Sequence, residues 1–216
     1  MKKGLTELVF ILDMSGSMAG LTDDTIGGFN SILKEQASKG GDVLVTTYLF
    51  NNDSRMIHDR LPITRVPQMT ERDYCASGCT ALLDAMGDAI RHIAGIHRYA
   101  RAEDVPDHTM FVITTDGMEN ASHRYSYDKV KKMVEKARDS YGWEFIFLGA
   151  NIDAIGVAGK MGISADRSAN YHADAIGTKK NFNAVSAAFS AVRSVGAMPS
   201  QWKKDIDEDF KGRKKQ

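Results

Sequence analysis

The chain has 216 residues, of which 43% are hydrophobic and 26% charged, a balance that suits one globular domain of the larger α/β kind and excludes wholesale disorder. Its 28 basic and 28 acidic side chains cancel, which removes the general electrostatic case for nucleic acid or an anionic membrane as a partner. Cys75 and Cys79 are the only cysteines. No Cys/His pair stands at finger spacing to complete a zinc site with them, so free thiols in a reducing compartment are expected.

In chain order, the first apolar run, 8–12, follows a short basic start, is too short for a signal-peptide core and ends in Asp13. No uncharged apolar stretch approaches the roughly 20 residues of a membrane span, and the expected compartment is the cytoplasm. Further β-rich runs lie at 43–50, 109–115 and 143–148. Several lack in/out alternation, as strands buried on both faces of a parallel sheet do.

Helical stripes separate these runs. Ile26, Phe29, Leu33 and Ala37 repeat at three and four before Gly40-Gly41. Leu82, Leu83, Met86, Ile90 and Ile93 form a second stripe, Val130, Met133, Val134, Ala137 and Tyr141 a third, and Phe182, Val185, Phe189 and Val192 a fourth. Residues 55–64 read as a short edge strand in a hairpin with the second run. Residues 151–174 read as a loop with a small helix at 157–161 and a last strand at about 167–172. Alternating strand and helix predict an α/β fold with right-handed crossovers. One domain is expected over 1–200. The charged segment 201–216, without a long apolar stripe, reads as a tail, either a frayed helix end or disordered.

The first strand ends in Asp13-Met14-Ser15-Gly16-Ser17. Alternate residues of an extended chain project to one side, so Asp13, Ser15 and Ser17 would offer three oxygens together. Hard oxygen donors with few charges are what Mg²⁺ prefers. The third run ends in Thr115-Asp116-Gly117, putting a second carboxylate at a strand's C-terminal end, where ligands of open α/β sheets collect. Thr80 precedes the second helical stripe, where a plain helix-capping role competes with a ligand role.

The segments 13–18, 78–85 and 115–117 resemble the three blocks of the metal-ion-dependent adhesion site of the von Willebrand factor A family, in the right order. The resemblance spans roughly residues 5–195. It implies a doubly wound, mostly parallel sheet of order 3-2-1-4-5-6 with one short antiparallel edge strand. It also implies one divalent cation, Mg²⁺ with Mn²⁺ or Ca²⁺ as alternatives, held by Asp13, Ser15, Ser17, Thr80 and Asp116. One coordination position would remain for an Asp or Glu carboxylate of a protein partner. Met18, Gly78, Cys79, Gly117, Glu119 and Asn120 are candidate partner-contact residues on its rim. Many relatives carry Pro near the position of Ala76; here Cys75 and Cys79 flank the site instead and read as small half-buried fillers.

Three functions follow as expectations: an Mg²⁺-dependent protein-binding module without turnover, an Mg²⁺-dependent phosphohydrolase, or an assembly component with a vestigial site. The second is disfavoured because Ser15 stands where a haloacid-dehalogenase-type pattern needs a second Asp, and no P-loop, G-x-S-x-G or H-E-x-x-H motif is present. The six histidines lack ligand spacing. Asp84 and Asp88, four apart on one helix face, read as solvated, and Asp23 and Asp24 as acidic residues suited to a helix start.

Overall fold

The computed structural model describes residues 1–213. In chain order it comprises β1 (Lys2–Asp13), α1 (Thr22–Ser38), β2 (Asp42–Phe50), β3 (Ser54–Pro62), α2 (Leu82–Tyr99), β4 (Pro106–Thr115), α3 (Tyr127–Tyr141), β5 (Glu144–Ala150), α4 (Ala154–Lys160), β6 (Ser168–Tyr171), α5 (Ala175–Val195) and α6 (Lys204–Gly212). The strands form one sheet of order β3-β2-β1-β4-β5-β6, parallel throughout except for the antiparallel β2–β3 edge pair. The α/β doubly wound class and the strand order match the expectation.

Two cores share the sheet, and β1 explains why its sequence shows no alternation. Leu8, Phe10 and Leu12 pack with Phe29 and Ile32 of α1 and Val185 and Phe189 of α5. Val9 and Ile11, between them, pack on the other face with Leu82 and Met86 of α2 and Val130 and Val134 of α3. Positions 8–12 of β1 are therefore all apolar, because helices cover both faces there. Helices α1 and α5 approach closely because position 28 is glycine: a Cβ there would lie 2.1 Å from the Phe182 ring.

Local signals set the helix ends. The Ser126 side chain accepts the Lys129 N–H to start α3, and Gly142, at φ 66°, closes it in the left-handed conformation. Asp23 and Asp24 occupy the first turn of α1, as expected.

In the C-terminal segment, read from sequence as a frayed helix end or disordered, residues 204–212 form a helix packed on the domain. Trp202 and Ile206 are buried, and α6 packs on β6 and α5. Trp202 Nε1 donates to the Asp166 carbonyl at 2.7 Å, and Lys203 Nζ donates to the Ser168 carbonyl at 2.6 Å. Trp202, Ile206 and Phe210 form a short stripe at intervals of four, enough to seat two helical turns on the outer strand. Residues 214–216 of the expected tail lie outside the described residues. Among the described residues no helix is long and apolar enough to cross a membrane.

Candidate metal site at the strand ends

The winding direction reverses between β1 and β4. From β1 the chain passes to α1 on one face of the sheet; from β4 it passes to α3 on the other. The two strands pair in parallel with Leu12 opposite Thr114, so their ends open a crevice between diverging loops. Asp13 and Asp116 both enter it and both are buried, at 0% and 5% exposure.

Asp13 is fixed on both oxygens: Oδ1 accepts the Ser15 N–H at 2.7 Å, and Oδ2 accepts the Thr115 hydroxyl at 2.6 Å. The Tyr74 hydroxyl donates to the Asp13 carbonyl, fixing the strand end beneath it. The Ser15 and Ser17 hydroxyl oxygens lie 3.2 Å apart, and Ser17 Oγ donates to Asp116 Oδ1 at 2.5 Å. Ser15 and Ser17 thus lie close to each other and to the two carboxylates, but not through an extended chain, since Gly16 and Ser17 already belong to the 3₁₀ turn Gly16–Leu21.

Thr80 joins from a third element. Gly16 N–H donates to the Gly78 carbonyl at 3.0 Å, and Ser77 N–H to the Met14 carbonyl at 2.8 Å, which seats the segment before α2 against the β1 loop. Gly78, at φ 77°, leaves room for Asn52: a Cβ there would sit 2.0 Å from Asn52 Oδ1, which accepts the Cys79 N–H. A Cβ built on Gly117 would stand 3.0 Å from Thr80 Oγ1, 3.5 Å from Ser17 Oγ and 4.0 Å from Ser15 Oγ. Three hydroxyls from two loops therefore converge within 4.0 Å of the point where a Cβ on Gly117 would lie. Helix α2 has Ala81 at its start and no side-chain cap there, so Thr80 is not the helix cap that sequence allowed as its plain role.

Burial pushes the Asp13 carboxyl up to about 6, against the hydrogen bonds from Thr115 and Ser15, and the nearby Asp116 charge adds to the rise. Burial likewise raises Asp116, opposed by Ser17. Two desolvated carboxylates share the crevice, and among the described residues no Lys, Arg or His figures among the causes of either shift. Such a pair is costly unless a cation balances it. Among the described residues no group of three or more His, Cys, Asp or Glu side chains is placed to hold a metal, so hydroxyls must form most of any donor set. Two carboxylates and three hydroxyls around an open space fit a hard divalent cation with oxygen preference, and its two charges would match theirs.

A clasp surrounds the site, and sequence reading missed its strength. Asn120 and Thr80 pair reciprocally, Thr80 N–H to Asn120 Oδ1 at 2.9 Å and Asn120 N–H to the Thr80 carbonyl at 3.1 Å. Glu119 Oε2 accepts the Leu83 N–H and the Ser122 hydroxyl, both at 2.8 Å, while Oε1 accepts the Ala121 and Ser122 N–H groups. Asp84, expected to be solvated, is buried and accepts the N–H groups of His123, Arg124 and Tyr125. Arg124 then reaches Asp88 with both terminal nitrogens, at 2.8 and 2.6 Å. The partial signal in sequence was the acidic Glu119 next to Asn120, read only as rim or second layer.

Of the rim residues, Glu119 serves this clasp, and Gly78, Cys79, Gly117 and Asn120 lie at least partly in the open. Met18 does not: it is 1% exposed, turned into the core by the 3₁₀ turn Gly16–Leu21, and cannot touch a partner. Cys75 and Cys79 are free and exposed rather than half-buried fillers.

No family model and no curated protein matches the chain. Solved structures do. A mutant of the PilB minor pilin from Streptococcus sanguinis superposes with a TM-score of 0.61 at 12% identity, over 89% of this chain and 63% of that one. The von Willebrand factor type A protein from Catenulispora acidiphila gives 0.58 at 14% identity, over 85% and 42%. The vWF domain of the type V pili tip protein Mfa5 from Porphyromonas gingivalis gives 0.61 at 9% identity, over 90% and 98%. The fold is von Willebrand factor A-like. At these identities the likeness reaches the fold and no further. The chain spans 63% of the first of these structures and 42% of the second, so a von Willebrand A-like domain here corresponds to a part of those longer chains.

Proposed function

We propose that this domain holds one divalent cation, Mg²⁺ in preference to Mn²⁺ or Ca²⁺, at Asp13, Ser15, Ser17, Thr80 and Asp116, and uses it to bind a carboxylate of a partner protein without chemical turnover. The observation that carries the reading is the convergence of three hydroxyls beside Gly117, next to two buried carboxylates without a cationic partner among the described residues. A cation bound there would satisfy both carboxylates. With only two protein charges around it, such an ion remains electrophilic toward a further carboxylate. Asp13 and Asp116 would reach it directly or through water. Protein binding through the strand-end loops is what the resemblance of the three motifs implies for a fold of this type. The same reading places the domain in the cytoplasm, where Cys75 and Cys79 stay thiols.

A phosphohydrolase is less well supported, because both Asp13 oxygens already accept hydrogen bonds and Ser15, two residues on, is directed at Ser17 rather than offering an acid. The test is a partner pull-down in Mg²⁺ and in EDTA with wild type and Asp13→Ala, beside a generic phosphatase assay. Retention of partners that EDTA and Asp13→Ala both release supports the module. Partners indifferent to both treatments contradict it, and turnover abolished by Asp13→Ala would make the domain an enzyme.

A further inference from the structure

We infer that the end of the sheet opposite the metal site carries a second site, a cavity walled by His97, Asp107, Tyr141 and Trp143 that takes a small organic cation: a protonated amine on an apolar or aromatic body. The inference does not rest on the metal reading. It concerns residues at the other end of the parallel strands.

The helices set the electrostatics. They run back along the sheet from the metal end, so α2, α3 and α5 finish where β4 and β5 begin. A cavity of about 720 Å³ lies there. It is lined by His97 and Arg98 from the last turn of α2, by Tyr141 from that of α3, and by Gly142 and Gly196, the glycines that close α3 and α5. The last carbonyl oxygens of a helix have no partner within it, and its C-terminal end carries the equivalent of about half a negative charge. Three such ends meet at this one cavity. Asp107, half-buried at the start of β4, adds a full carboxylate to the wall and among the described residues enters no ion pair.

The aromatic side chains set the shape. Trp143 is 3% exposed, stacked on Phe111 at 5.2 Å and met edge-on by His97 at 5.3 Å. Tyr141 leans on it at 5.6 Å and stays 50% exposed, which leaves much of a ring open to a cation beside an apolar wall. His97 is held in place from behind: its Nε2 is bonded to Glu7 Oε2 at 2.7 Å, and the fully buried Glu7 also accepts Arg60 Nε at 2.6 Å. The volume falls within the roughly 300–1,000 Å³ of small-molecule sites.

The basic side chains do not reverse the sign. Arg98 places its guanidinium 5.6 Å over the Tyr99 ring, and Tyr99, 82% exposed, is no part of the wall. Arg60 is paired with Glu7. His97 and His108 are the remaining basic side chains on the wall. An anion entering the cavity would face three helix ends and Asp107, whereas an ammonium group would meet acceptors on several sides.

The experiment titrates phenethylamine, phenethyl alcohol and hydrocinnamate into the full chain by calorimetry at about pH 8, where alkylamines are protonated and free imidazole is not. The three probes share an aromatic body and differ in charge. Saturable binding of the amine, about tenfold or more tighter than the alcohol and with the carboxylate weaker still, is expected. Tyr141→Ala and Asp107→Asn should each weaken the amine about threefold or more with unaltered melting curves, and Asp13→Ala should leave it unchanged. An amine that does not saturate, an alcohol or carboxylate bound as tightly, wild-type affinity in Tyr141→Ala and Asp107→Asn, or loss of binding in Asp13→Ala would overturn the cation site and leave the metal reading standing.

Discussion

Glu119 and Asp84 each serve the other's element: Glu119, in the loop after β4, accepts the Leu83 N–H of α2, and Asp84, in α2, accepts three N–H groups of the loop that contains Glu119. The loop carries Asp116 at its root and α2 carries Thr80 just ahead of its first turn, so this exchange fixes the distance between two proposed ligands. Glu119→Ala should weaken Mg²⁺ binding about tenfold or more, because Thr80 and Asp116 lose their common frame, and should cost about 1–3 kcal/mol of stability from the unpaired N–H groups. Calorimetric Mg²⁺ titration and urea unfolding of the same variant read both effects. An unchanged Mg²⁺ affinity would show the clasp to be structural only.

Gly117→Ala tests the open space among the hydroxyls. A methyl group there would meet Thr80 Oγ1 at 3.0 Å, tighter than ordinary contact but with no left-handed backbone to forbid it. The fold should therefore lose about 1 kcal/mol or less, while Mg²⁺ affinity falls by about tenfold or more. Equal Mg²⁺ affinity in Gly117→Ala, measured by titration, would place any bound cation elsewhere.

The raised Asp13 pKa makes a prediction about pH in metal-free protein. A carboxyl whose folded pKa of about 6 exceeds its ordinary 3.8 favours folding in its neutral form. Its stabilising contribution is complete below about pH 4 and lost as pH rises through about 6, for a total near 3 kcal/mol. Between pH 4 and pH 7 in EDTA, wild type should lose about that much stability relative to Asp13→Asn, which cannot ionise there. Saturating Mg²⁺ should remove the loss in wild type and not in the variant. Parallel pH profiles for the two proteins in urea unfolding would contradict the buried, uncompensated carboxylate.

Trp202 anchors α6 to the outer strand, with a buried ring and a hydrogen bond to the Asp166 carbonyl. Trp202→Ala should destabilise the domain by about 3 kcal/mol and leave Mg²⁺ affinity unchanged, since α6 stands on β6, two strands from β4. Chemical unfolding beside Mg²⁺ titration checks the pair of outcomes.

The parts legible in sequence are those governed by local spacing. The inner strands β1, β4 and β5 could be read as continuous apolar runs because helices cover both of their faces, and Asp13, Ser15 and Ser17 because they stand together in one short motif, although a 3₁₀ turn from Gly16 and not an extended chain places Ser17. The clasp was not legible in the same way. Leu83 and Glu119 are 36 residues apart, and only the folding of the post-β4 loop onto α2 brings them together. Asp84 and Asp88, four apart on one face of α2, have the pattern of a solvated pair. Tertiary approach of 123–125 buries Asp84, while Asp88 stays part-exposed beneath Arg124. Met18 was misplaced because the motif continues through it in sequence while a 3₁₀ turn reverses its direction in space. The packing of α6 was not legible, because its three anchors are too few to register as a stripe until β6 supplies a surface for them.

The most direct test of the central claim is calorimetric titration of MgCl₂ into metal-free wild type, Asp13→Ala and Asp116→Ala, with circular dichroism of each to establish the fold. One Mg²⁺ per wild-type chain, and none in either variant with the fold retained, is the expected result. Wild type without a Mg²⁺ site, or folded variants that bind Mg²⁺ as wild type does, would contradict it.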